Sequence, residues 1–276
     1  MKLKFYDPRY MQLFNNVGLM IYGYAFLNFH RDLTYLIPTF MVSFLVDYLC
    51  GRYFNPERNS RSMWDRSISI GNTMAAIFVM ANVDDPWFYF LAICFGIAAK
   101  YIFQIKNQHL FNPGNIGIVL SLLFVTNTYV RIIYNQFAMS NYWVLAFVII
   151  NGLIITLTAN RFVLAMAYML GTAGFLYALS PYFNYSRTML IGPTLSISGI
   201  VFIFFMITDP KTTPSKWSEQ VIFGLVCAFI GAIMRMNEMV HDSFVALFLT
   251  TALYTIIRYD RLHKANQPAI ATAGTE

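Results

Sequence analysis

Two short stretches of this 276-residue chain hold residue types that could do chemistry. The first reads His109-Leu110-Phe111-Asn112-Pro113-Gly114-Asn115. The second reads Phe205-Met206-Ile207-Thr208-Asp209-Pro210-Lys211-Thr212-Thr213-Pro214. Each sets Asn or Asp directly before Pro, and a residue before Pro is driven toward extended backbone. Pro113 suits the first turn of a helix. Asn115 and the free amides of that turn would then aim hydrogen-bond donors at a polar or anionic group. Thr208, Asp209 and Thr212, around Pro210, would offer oxygens from the opposing segment. Either stretch alone reads as a helix cap or a loop turn. The two on the same side of one molecule read as halves of a binding site.

The elements that must position them are membrane spans. Hydrophobic residues make up 58% of the chain and charged residues 12%. A soluble domain carries roughly 25% charge, so a soluble enzyme, a disordered chain and a nucleic-acid binder are all excluded. The apolar residues group into ten candidate spans, at residues 12–29, 33–50, 67–83, 86–104, 113–128, 142–159, 162–180, 193–208, 218–234 and 242–257. Several are short against the ~20 residues that cross a bilayer. The opening MKLKFYDPRY leads into a span without a small-residue cleavage site, so no cleavable signal peptide is expected. With ten spans, 15 of the 19 Lys and Arg fall on one side and four on the other. The positive-inside rule then puts both termini in the cytoplasm, and the net charge of +6 becomes a topology signal. One polytopic domain over residues 1–262 is expected, with a short disordered tail over 263–276.

Other chemistries find no support. Cys50, Cys94 and Cys227 occur singly, and no Cys/His spacing suits a metal or an iron–sulfur cluster. The four histidines sit at span ends or in loops, which does not suit a bundle-held haem. Nucleotide-binding and hydrolase motifs are absent. Ionisable groups at span edges are costly to bury and draw attention. Asp47 and Lys100 lie at similar depth with opposite sign, which allows a pair; the alternative has Lys100 reaching up to the interface and Asp47 in water. Glu219, Glu238 and Asp242, at span ends, are read as solvated. No chain of acidic groups crosses the membrane core.

Phe111-Asn112-Pro113 followed by Gly117, and Phe205-Met206-x-Thr208-Asp209-Pro210-x-Thr212, together resemble the NqrB/RnfD family. These are the flavin-carrying membrane subunits of ion-pumping NADH:quinone and ferredoxin:NAD oxidoreductase complexes. Phe95-Gly96 with Lys100 is similar to the helix that precedes the family's Asn-Pro motif. Lys216-Trp217, Gly224 and Arg235 resemble the segment after its Thr-Asp-Pro. The resemblance covers residues 65–125 and 190–262. It implies an all-α membrane protein of about ten transmembrane helices in two inverted five-helix halves, with both termini cytoplasmic, in the bacterial cytoplasmic membrane. It also implies a flavin site drawn from Lys100, Asn112, Pro113, Gly114, Asn115, Thr208, Asp209, Pro210 and Thr212, with no catalytic residue or metal of the chain's own.

An internal echo agrees with inverted halves. Ser67-Ile68-Ser69-Ile70-Gly71 opens span 3, and Ser196-Ile197-Ser198-Gly199 lies in span 8, five spans later. Such repeats place sites near the midplane on interrupted helices. The chain departs from the family in lacking the Ser-Gly-Ala-Thr motif whose Thr carries covalent FMN. In that position stand Thr126, Asn127 and Thr128 and the loop up to Asn141. The implied cofactor is therefore a non-covalent riboflavin or FMN. The implied function is an electron-transport subunit, not a complete oxidoreductase alone, that works with other redox subunits, a flavin or iron–sulfur donor, a quinone and membrane lipids. The alternative is a cofactor-free transporter or channel for a small polar solute on the same fold.

Overall fold

The computed structural model describes residues 8–27, 33–55, 62–81, 85–105, 108–125, 142–183, 186–239 and 241–266. The Thr126–Asn141 loop lies outside them. Among the described residues the chain is all-α but for one antiparallel pair of two-residue strands. In chain order it forms α1 (Pro8–Phe26), α2 (Leu36–Phe54), α3 (Met63–Met80), α4 (Pro86–Ile102), β1 (Gln104–Ile105), β2 (Gln108–His109), α5 (Pro113–Phe124), α6 (Tyr142–Thr158), α7 (Phe162–Leu179), α8 (Arg187–Leu195), α9 (Ile197–Val201), α10 (Trp217–Met236) and α11 (Asp242–Asn266).

Local residue choices explain where these helices start. Ser62 caps α3, its Oγ accepting from the Asp65 amide at 3.2 Å. Asp85 caps α4 through the Trp87 amide at 2.9 Å. Asn112 caps α5, Oδ1 accepting from the amides of Gly114 (3.0 Å) and Asn115 (3.2 Å). Pro86 and Pro113 fill the first turns, where no amide donor is required.

Among the described residues, two helices are long and apolar enough to cross a membrane, Phe162–Tyr182 and Trp217–Met236. A third span is possible by length only if α8 and α9 count together, and these are bent by 53°. The helices α4, α5 and α6 are apolar but shorter. Large apolar side chains point outward along the bundle, among them Phe14 (62% exposed), Ile37 (71%) and Ile222 (63%). Water would not tolerate so continuous an apolar surface, and this is a membrane protein.

The α8–α9 break has clear causes. Pro193 sits inside α8 and cannot donate to the helix ladder. Ser196 then turns to extended backbone and caps α9, its Oγ accepting from the Gly199 amide at 3.1 Å. A Cβ on Gly199 would stand 2.4 Å from the carbonyl oxygens of Pro193 and Thr194, so the turn admits only glycine there. α9 continues into a π turn, Phe202–Met206, which delivers the chain to Thr208.

Small residues let backbones touch, as helix packing in lipid requires. A Cβ at Gly96 of α4 would lie 2.4 Å from the Pro113 carbonyl oxygen, and one at Gly117 of α5 would lie 2.1 Å from that of Ala92. The α4–α5 contact is therefore backbone on backbone. Gly171 and Gly224 allow a similar approach of α7 and α10, and Gly152 of α6 receives the Phe204 ring. Helix α2 packs on α4 as α7 does on α10, and α4 on α5 as α10 does on α11. Between these groups, α1 meets α6, α3 meets α9, and α5 meets α11.

Candidate functional site

The two proline-broken segments meet. Asn112 Nδ2 donates to the Met206 carbonyl across 94 residues of sequence, at 3.2 Å. His109 Nε2 lies 3.5 Å from Asp209 Oδ2. Met206 ends the helical run, and the last carbonyls of a helix have no partner within it. Phe205 O accepts from Gln12 Nε2 of α1 at 3.1 Å, one residue before the Met206 carbonyl that Asn112 holds.

A cavity of about 310 Å³ opens beside this junction. From the first segment it is lined by His109, Asn112, Pro113 and Gly114, and from the second by Phe205, Thr208, Asp209, Pro210 and Lys211. Lys100 of α4 enters it, as do Gln12 of α1, Ser69, Asn72, Thr73 and Ala76 of α3, and Ile155 and Ala159 at the α6 end. Seven of the nine residues expected from sequence are thus on one wall system. Asn115 and Thr212 are not. Asn115 is turned away, its Nδ2 donating to the Phe244 carbonyl of α11 at 3.2 Å. Thr212 is buried in the turn below, its amide and hydroxyl directed to the Asp209 carbonyl at 3.2 and 3.3 Å.

Lys100 is 3% exposed. Its Nζ donates to Ser69 Oγ (3.0 Å), the Ser69 carbonyl (3.2 Å) and Thr73 Oγ1 (2.9 Å). The hydroxyls of α3 thus hold a cation that hydrocarbon would reject. Asp47 and Lys100 are both buried, and Asp47 takes other partners. Asp47 accepts from the Tyr101 hydroxyl at 2.6 Å and lies 3.6 Å from Arg66. Tyr101 follows Lys100 on α4 and therefore points to another face, which is what brings it, and not Lys100, to α2.

The Asp209 turn is itself a braced structure. Its carboxylate accepts from the Lys211 amide at 3.0 Å, and its carbonyl accepts from Thr213 Oγ1 at 2.7 Å. Arg161, at the start of α7, donates from Nε to Thr213 Oγ1 (3.1 Å) and from Nη2 to the Pro210 carbonyl (3.1 Å). Arg258 of α11 ties the mouth, donating to the Lys211 carbonyl at 3.1 Å and to Gln108 Oε1 of β2 at 2.5 Å.

Burial pushes the His109 imidazole below its ordinary value, outweighing the opposing pull of Asp209. Burial alone would raise Asp209. The contact with His109, its charge and the Lys211 amide outweigh it and hold the carboxyl below the usual range. At neutral pH the site therefore combines a neutral imidazole, a carboxylate and the ammonium groups of Lys100 and Lys211.

A second polar cluster lies at the other end of α10. Asp242, expected to be solvated, is 1% exposed. It forms an ion pair with Arg235 Nε and accepts from the Ser243 amide at 2.6 Å. Arg235 also donates to the Leu190 carbonyl (2.9 Å) and to Thr194 Oγ1 (2.8 Å), beside the α8–α9 break. The reversal between α10 and α11 folds the acid back onto the last turn of α10, which span boundaries in the sequence do not reveal.

Sequence reasoning missed Gln12, Asn72, Ser69 and Thr73 as wall residues. Ser69, Asn72 and Thr73 recur at helical spacing inside an apolar span, and that polar stripe was the available signal. Among the described residues no cluster of His, Cys, Asp and Glu could hold a metal ion. Compared with known proteins, the chain matches no family model and no curated protein sequence.

Proposed function

We propose that this protein is an integral-membrane electron-transport subunit that holds riboflavin or FMN non-covalently in the cavity between its two proline-broken segments. One observation carries the reading: Asn112, Pro113 and Gly114, about a hundred residues from Thr208, Asp209 and Pro210, share one cavity with them and with Lys100. Its ≈ 310 Å³ falls at the small end of the range for small-molecule sites. Its walls fit a flavin: apolar surface from Ala76, Ile155, Ala159 and Phe205, interrupted by a few convergent polar groups. The flavin supplies the electron-transfer chemistry. The chain supplies hydrogen-bond donors, an apolar wall and the Lys100 ammonium, whose charge favours added negative charge on the ring. With no Ser-Gly-Ala-Thr in the chain, covalent attachment forms no part of the reading.

Electrons would arrive from a flavin or iron–sulfur subunit and leave to another redox subunit or a quinone, with ion transport coupled to that flow. The same reading has ten spans in two inverted halves of a bacterial inner-membrane protein, with both termini on the cytoplasmic side. The repeated pairings, α2–α4 with α7–α10 and α4–α5 with α10–α11, support it. A second reading, a cofactor-free transporter for a small polar solute, is favoured by the 53° α8–α9 break, since such folds bind solutes at broken helices.

The absorption spectrum of the detergent-purified protein separates them. Flavin bands in the near-ultraviolet and blue are expected, and Asn112→Ala, which removes both the α5 cap and the Met206 contact, is expected to lower flavin content severalfold. A folded, colourless protein that takes up no added flavin would exclude the electron-transport reading.

A further inference from the structure

Of the side chains lining the cavity, His109 alone has an ordinary proton affinity near neutrality. It is 7% exposed. Its place does not follow from the needs of the fold. The Asp209 turn is already closed by the Lys211 amide on Oδ1 and by the Thr213 hydroxyl on the Asp209 carbonyl. His109 closes no part of that turn. Its Nε2 stands 3.5 Å from the other carboxylate oxygen, Oδ2. A neutral donor such as glutamine would serve that oxygen as well, so the titratable ring asks for a use of its own. The carboxylate selects the tautomer protonated at Nε2 and leaves Nδ1 as the basic nitrogen.

The charges around the ring set when that nitrogen takes a proton. Asp209 favours the protonated form, while Lys211 of the same turn and Lys100 of α4 oppose it. Arg258 of α11 is bonded to Gln108, the residue before His109. With burial added, the resting ring is neutral. Electron arrival changes this balance. Two electrons and one proton taken by a flavin ring leave one negative charge in the cavity. An anion within ~4–6 Å raises the proton affinity of an imidazole roughly 10- to 1,000-fold, and a cavity of about 310 Å³ keeps its contents close to the residues that line it. We propose that His109 is the proton-uptake residue of this site: as negative charge reaches the bound ring, Nδ1 of His109 accepts one proton from water at the cavity mouth. Two electrons come from the donor subunit, one proton goes to the ring and one to His109, and the site gains no net charge. Asp209 is the positioning residue. It fixes the tautomer, lies against the imidazolium once formed and, with its side chain 16% exposed, stands nearer to water than the ring does. This inference rests on the flavin reading of the cavity.

The test is a potentiometric titration of the full chain in detergent, loaded with riboflavin and followed by absorbance. The midpoint potential of the ring is measured over about pH 7 to 8, above the ordinary imidazole value of about 6.5. The unmodified protein is expected to show the slope of one proton per electron, and His109→Gln half that slope. A second readout needs no variant. In reduced-minus-oxidised infrared spectra of protein carrying isotope-labelled histidine, imidazolium bands are expected to appear on reduction. Equal slopes in the two proteins overturn the inference and leave the flavin reading standing, as does the absence of imidazolium bands. If His109→Gln takes up no riboflavin, the infrared result decides. Failure of the unmodified protein to bind riboflavin overturns the flavin reading and this inference with it.

Discussion

At the scale of single residues, the site is governed by which charges the fold will accept. Lys100 is accepted because Ser69 and Thr73 stand within 3.2 Å of its ammonium. His109 is accepted as a neutral ring, since burial disfavours its protonated form more than Asp209 favours it. Both His109 and Asp209 hold their protons less tightly in the folded chain than in the unfolded one. Acidification therefore costs stability at both. The His109 contribution is complete above the ordinary imidazole value of about 6.5 and is lost as pH falls through its lower folded value. That of Asp209 is complete above about 3.9 and is lost at still lower pH. Melting curves in detergent should show the transition temperature falling from pH 7 toward pH 5. His109→Gln should flatten that part of the profile, and an unmodified protein that gains stability on acidification would contradict the assignment. The two proline-broken segments were legible in the sequence because Asn112-Pro113 and Asp209-Pro210 act on their own neighbours. Gln12 was not, because a polar residue in an apolar span gives no sign of which way it faces until its helix is packed.

At the scale of elements, the molecule is built from helices that stop where the chemistry is. α5 begins at the cavity, and the π turn after α9 ends at it. The α8–α9 break is anchored from outside by Arg235, which holds Leu190 and Thr194 while paired with Asp242. With side-chain exposures of 11% and 2%, this pair has little water to fall back on. Asp242→Ala should lower stability by about 3–5 kcal/mol, because it strands a buried guanidinium. The combined Arg235→Met/Asp242→Leu change should cost clearly less than that single substitution, as measured by chemical unfolding in detergent. Equal losses would mean that the pair is not coupled. Element positions were largely legible from capping residues and apolar runs. The expected eighth span, residues 193–208, was not one helix but the α8–α9 pair, since the consequence of Pro193 depends on Ser196 and Gly199 being free to turn.

At the scale of the whole molecule, the apolar exterior and two unambiguous long apolar helices identify a membrane protein. The sorting of 15 Lys and Arg against four predicts a particular threading of the rest. Single cysteines placed at Ser60 and Ser215 should be protected from a membrane-impermeant thiol reagent added to intact cells, and one at Ser186 should be labelled. Labelling of the first two would reverse the orientation, and a mixed pattern would change the number of crossings. The π turn at Phe202–Met206 has one more implication, for length. A π turn holds one residue more than an α-helix of the same rise. Everything after it is rotated by one residue's worth of helix, on the stretch that carries Asp209 to His109. Deleting one residue of the turn would keep the side chains of the site and change the face on which Asp209 leaves the helix.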